Sequence, residues 1–174
     1  MGNSDMQHLV SELHGAFGRL ELLQFDEDYA GALGAPCSAA QLDVAARDLG
    51  RELPPSYRGF LELHNGWTDF IGEAGLLAVE DRHSDWFQRR VKGIRDHLNS
   101  FGDPDFVPHA FFILVHPDVS TVLFLDMSGP TSGGELEVVE YCLKEGELDR
   151  YPSFEAYLKE RLEETERFIA DEEG

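Results

Sequence analysis

Apolar positions along this chain follow two rhythms, one with helical spacing and one that alternates or runs unbroken. From Met6 to Phe25, the residues Leu9, Leu13, Phe17 and Leu20 recur every three or four positions, predicting a helix that Gly15 and Gly18 weaken. Asp26 to Pro36, rich in Gly and Ala, reads as a connector. Ser38 starts a second helix. With Gln41 three residues on it forms a capping box; Leu42, Ala45, Ala46 and Leu49 make the buried stripe, and Gly50 ends it. A third helix spans Leu53 to His64. Its Pro54-Pro55 pair fits only a first turn, where the missing N–H groups would have no partner. Tyr57, Phe60, Leu61 and His64 share one face, Asn65-Gly66 stops the helix, and Trp67 folds back on Leu61 or Glu62 as a packed anchor. The second and third helices form an αα-hairpin.

Gly72 to Gly75 is a turn and Leu76 to Val79 a short apolar strand. A helix starting at Asp81 or Ser84 carries Phe87, Val91, Ile94, Leu98 and Phe101 inward, and Gly102-Asp103-Pro104 closes it. Arg89, Arg90, Lys92 and Arg95 occupy its outer face. Ala110 to Val115 is continuously apolar, as a strand covered on both faces should be. Pro117-Asp118 turns the chain into a partner strand, Val119 to Leu125. After a loop at Ser128 to Gly134 comes the third strand of a meander, Leu136 to Leu143. Its Val139, Tyr141 and Leu143 face one side; Leu136, Val138, Glu140 and Cys142 face the other. A last helix, Ser153 to Ala170, turns Phe154, Leu158, Leu162, Thr165 and Ile169 inward, with i, i+4 pairs Glu155–Lys159 and Glu163–Arg167. Asp171 to Gly174 reads as a frayed acidic tail. The sum is an α+β fold, a central, largely antiparallel sheet with helices packed on it, in one domain over 1–174.

The run Leu53-Pro54-Pro55-Ser56-Tyr57, with Phe60, Leu61 and His64-Asn65-Gly66-Trp67, resembles the SUKH superfamily of cell-wall-regulator-like domains, common among bacterial immunity proteins. The Ser38 helix, Gly75 to Glu80 and the Ser153 to Leu158 helix start also match, giving a family-like core of about 36–165 and an extra N-terminal helix at 6–25. The resemblance implies a protein-binding module.

Charge sharpens that reading. Lys and Arg number 14 against 34 Asp and Glu, a formal net charge of −20. Such a field repels nucleic acid and anionic lipid and attracts basic partners. Two cysteines, Cys37 and Cys142, read as unpaired thiols in a reducing compartment. Neither a secretory signal nor an apolar run of membrane-spanning length is present, and Met6 stands where an acylation motif needs Ser or Thr; the expected location is cytoplasmic.

The chain carries few patterns that mark catalytic or metal chemistry. The seven histidines form no H-x-x-x-H, nor do they pair with a cysteine at metal spacing, and His64 reads as a hydrogen-bonded turn residue. Nucleophile-elbow and phosphate-loop motifs are missing. The expectation is therefore no catalytic residue, no metal and no cofactor. Candidate partner-binding residues are Asp69, Glu73, Glu80 and Asp81, between the Trp67 loop and the next helix, with Trp86 at a rim and Glu137 and Glu140 on the third strand. The function expected is a non-enzymatic immunity protein that neutralises a polymorphic toxin, most simply a basic nuclease domain. The competing readings are a scaffold or interaction module of the same fold without a toxin partner, and an undetected enzyme.

Overall fold

The computed structural model describes residues 3–101, 107–129 and 131–174. The expected Phe101 core contact, the Gly102-Asp103-Pro104 stop and Pro130 of the loop lie outside what is described, as do Met1 and Gly2. Helix α1 covers Asn3–Phe25, α2 Ala39–Leu49 and α3 Pro55–Leu63. The capping box at α2 is formed: Ser38 Oγ accepts from Gln41 N at 3.2 Å, and Gln41 Oε1 accepts from Ser38 N at 2.8 Å. Gly50 closes α2 at φ 77°. Glu135, 79 residues further along the chain, caps α3: Ser56 N and Oγ donate to its carboxylate at 2.9 and 2.8 Å. Gly66, at φ 88°, follows α3 where a Cβ would stand 2.9 Å from Ala78 N and Leu76 O. Only glycine fits there.

Strands β1 (Trp67–Ile71), β2 (Ala74–Leu76), β3 (Ala110–Leu114), β4 (Thr121–Asp126), β5 (Val138–Cys142) and β6 (Gly146–Tyr151) form one antiparallel sheet in chain order. Helix α4 (Asp85–Phe101) follows a 3-10 turn at Val79–His83, and α5 (Phe154–Glu173) follows β6. The fold is α+β, with the antiparallel sheet at its centre. One side of the sheet, including Phe111, Ile113, Leu123, Leu125 and Val138, packs with α1, α2, α3 and α5. The other, including Phe112, Val122, Phe124, Val139 and Tyr141, packs with α4. The β3 run is thus apolar because both its faces are covered.

Several boundaries differ from the sequence expectation. Residues Trp67–Ile71 are a strand; Asp69 stands at φ 52° inside it and breaks the alternation. The apolar segment expected over Leu76–Val79 ends as a strand at Leu76, because Val79 already starts the 3-10 turn. β5 is the fifth strand of six rather than the third of a meander, and β6 adds a polar edge, G-E-L-D-R-Y, carried by its pairing with β5. The expected frayed tail is helical to Glu173, with Gly174 N bonded to Ala170 O at 3.1 Å. Arg167 pairs with Glu160 at 3.2 Å instead of Glu163. The Glu155–Lys159 pair forms as expected.

Candidate protein-binding groove

The β1–β2 hairpin, the 3-10 turn, the start of α4 and the end of β3 enclose a groove of about 360 Å³. Asp69, Glu73, Asp81, Trp86 and His116 line it above a floor that includes Leu76, Leu77 and Val115. Four of the seven candidate residues therefore meet in one place. The strained backbone at Asp69 is held from behind: Tyr29 Oη donates to Asp69 O at 2.9 Å, and Trp67 Nε1 donates to Tyr29 Oη at 3.0 Å. A non-glycine residue at positive φ persists only where its surroundings over-determine it. Trp67 is fully buried, as its reading as an anchor required; it stacks among His14, Phe17 and Phe70.

Asp81 has two roles, since its Oδ2 also accepts from Ala78 N at 2.8 Å and so closes the 3-10 turn. Trp86 is half-buried, its ring edge-on to Phe87 at 6.1 Å between centroids. Ser84 Oγ accepts from Phe87 N at 3.3 Å and starts α4. Beneath the turn lies Arg82, a residue the sequence reading did not single out. Its guanidinium sits 3.3 Å from the Phe111 ring centroid and donates to Phe112 O, tying the acid-bearing turn to β3. Burial pushes Arg82 down to about 10. No sequence signal marked it, because a half-buried arginine looks like any surface charge until the fold surrounds it.

The other three candidates stand elsewhere. Glu80 accepts hydrogen bonds from Gln41 and, at 2.8 Å, from Asn65, and these hold its carboxyl below the usual carboxylate range. It joins α2 to the α3 stop. Glu137 and Glu140 were expected to join the same surface, but β3 and β4 separate their strand from the β1–β2 hairpin. Three positions apart, they also face opposite sides of the sheet. Glu137 pairs with Arg150 at 2.8 Å. Glu140 lies on the α5 side, where burial pushes its carboxyl up against the attraction of Arg161.

The basic cluster of α4 is likewise divided. Arg89 and Arg95 are exposed, and Lys92 pairs with Asp96 at 2.6 Å. Arg90, expected on the outer face, turns toward the β3–β4 loop and donates to Val119 O at 3.2 Å. Cys37 and Cys142 are both free, and burial pushes the Cys37 thiol up to about 11. Among the described residues, no three His, Cys, Asp or Glu side chains are grouped to hold a metal ion. Among the described residues, no helix is long and apolar enough to cross a membrane.

No curated protein matches the chain. The family model for the SMI1 / KNR4 family (SUKH-1) matches residues 36–160, well over half of the chain. That span holds α2, α3, the whole sheet and the groove around Trp86. By this match the chain belongs to the SMI1 / KNR4 family (SUKH-1).

Proposed function

We propose that the chain is a non-enzymatic immunity protein that binds and neutralises a basic toxin domain, a nuclease in the simplest case, through the groove around Trp86. One observation carries this reading: Asp69, Glu73 and Asp81 converge on a half-buried tryptophan over an apolar floor, in a chain of net charge −20. An aromatic anchor ringed by carboxylates suits an arginine or lysine side chain, which offers both a charge and an apolar stem. A nuclease must present such side chains to phosphate, so an acidic groove competes with its substrate. The resemblance to immunity proteins supports the same reading.

The test is an affinity capture from the native organism at low and high salt, with captured proteins identified by mass, using the natural chain and a Glu73→Lys/Trp86→Ala variant. A basic toxin domain captured by the natural chain, more weakly at high salt and poorly by the variant, is the expected result. Capture of an acidic or housekeeping assembly would move the assignment to a scaffold module. Equal capture by the variant would remove the groove from the interface.

A further inference from the structure

A second surface lies outside the family-matched span. Helices α1 and α5 run side by side in the same direction: Arg19 pairs with Glu166 and Gln24 with Glu172, so the two numberings advance together. Between them runs an open valley of about 980 Å³, lined by Ser11, Gly15 and Arg19 of α1 and by Leu162, Glu166 and Ala170 of α5. Each of these positions falls before residue 36 or after residue 160, beyond the matched segment. The valley shares no lining residue with the groove around Trp86.

The outer face of α1 carries a pattern that its own fold leaves unused. Ser11, Gly15, Gly18, Leu22 and Phe25 recur at i, i+4, i+7, i+11 and i+14, a seam of the kind that packs against another helix. It runs beside the inward stripe of Met6, Leu9, Val10, Leu13 and Phe17, which is already buried. Glycine is among the least favourable residues inside a helix. Here a Cβ on Gly15 or Gly18 would meet nothing within 4 Å, so no close packing among the described residues requires either glycine. The clearance they leave is open to a partner from outside. Leu22 and Phe25, which end the seam, are 55% and 62% exposed. The seam spans 15 residues, about 21 Å, or four helical turns.

Charge selects the occupant. α1 carries one basic and three acidic side chains and α5 three and eight, so the pair holds a net −7. Four of the α5 acids are ion-paired, while Glu163, Asp171 and Glu173 form no ion pair among the described residues. A second copy would bring another −20 against it. We propose that this valley, together with the α1 seam along its edge, is a docking surface for a cationic amphipathic helix of a partner protein, laid along the seam with its apolar stripe over Gly15 and Gly18 and its basic flanks toward the acids of α1 and α5. This proposal stands independently of the toxin-binding reading.

The test uses the full chain and two three-heptad helical peptides with leucine at the seam positions, one with lysine and the other with glutamate elsewhere. Binding is followed by fluorescence anisotropy. The lysine peptide should bind and the glutamate peptide should not. A Gly15→Gln/Gly18→Gln variant puts two good helix formers on the seam, Gly15 at the wall of the valley and Gly18 beside it, so its Tm should hold or rise while affinity for the lysine peptide falls roughly tenfold or more. The Glu73→Lys/Trp86→Ala variant should bind that peptide as the natural chain does, which separates this surface from the other groove. Equal binding of both peptides, no binding of the lysine peptide, or unchanged binding in the double glutamine variant would overturn the proposal. So would a natural chain that sediments as a dimer and becomes a monomer in the glutamine variant, since a second copy would then occupy the valley.

Discussion

At the β5–β6 end of the sheet, Asp126, Glu137 and Glu147 close on the single guanidinium of Arg150 at 2.8–2.9 Å. At the β1–β2 end, Asp69 and Glu73 form no ion pair among the described residues, and a half-buried tryptophan stands beside them. Both ends are rich in carboxylate, yet the first group is committed to holding two strands and a loop together, while the second faces solvent. Acid content alone therefore does not mark a binding surface. A carboxylate without an internal cation can give its charge to a partner, whereas one already paired has to break a bond first.

The largest effect is expected at Arg150. Arg150→Ala leaves three carboxylates facing one another, with Asp126 only 8% exposed. A loss of about 2–3 kcal/mol in urea unfolding at neutral pH is expected. Burial opposes the charge on Asp126, but the Arg150 and Ser128 hydrogen bonds outweigh it and hold this carboxyl below its ordinary 3.8. A depressed folded value contributes stability that is present above the unfolded value and lost as pH falls through the folded one. The natural chain should thus lose stability below about pH 4, and the alanine variant should show a shallower loss there.

Charge reversal sharpens the contrast. Glu73→Lys should slow association with a captured basic partner roughly tenfold at low salt, leaving Tm nearly unchanged, with the difference fading at high salt. Glu137→Lys should do the opposite, lowering Tm with little effect on the association rate. Equal effects at the two sites would erase the distinction between committed and available acids.

Two smaller effects examine the supports. Tyr29→Phe removes the hydroxyl that donates to Asp69 O and accepts from Trp67 Nε1. It should cost about 1 kcal/mol in denaturant unfolding and weaken partner binding along with it. Smallest is Glu140→Gln. Burial raises the Glu140 carboxyl above 4.5, with Arg161 opposing and Glu164 and Asp149 reinforcing the shift, so the folded state prefers the protonated form. Its ionisation therefore subtracts stability as pH rises above about 4.5. Glu140→Gln should raise Tm slightly at pH 7, and the gain should vanish below pH 4.5.

Much of the fold was legible because the signals were local. Ser38 with Gln41, Pro54-Pro55 and Asn65-Gly66 each fix a helix end within a few residues, and the β5 alternation assigned Val139 and Tyr141 to one face and Leu136 and Val138 to the other. β1 was missed because the positive φ of Asp69 interrupts the period of two. β6 was missed because its single large aliphatic residue, Leu148, is 47% exposed, so no apolar rhythm announces an edge strand that exists by pairing. Of the candidate site, Asp69, Glu73, Asp81 and Trp86 were found together since they lie within 18 residues of one another. Glu137 and Glu140 were grouped with them on charge alone.

By itself, the sequence determined the helix ends, the doubly covered strand at Ala110–Leu114, the membership in a SUKH-like fold and an acidic field suited to basic partners. These follow from hydrogen bonding, steric limits and charge, which act over a few residues or sum over the whole chain. Only the tertiary structure decided which acids are available. Arg150 reaches Asp126 across 24 positions, Glu135 reaches back 79 positions to cap α3, and Arg82 packs over the ring of Phe111 of β3. It also decided that α1 and α5 lie side by side with a valley between them. Ion pairing and burial depend on distance in space, and strand order and helix docking set that distance for residues far apart in the chain.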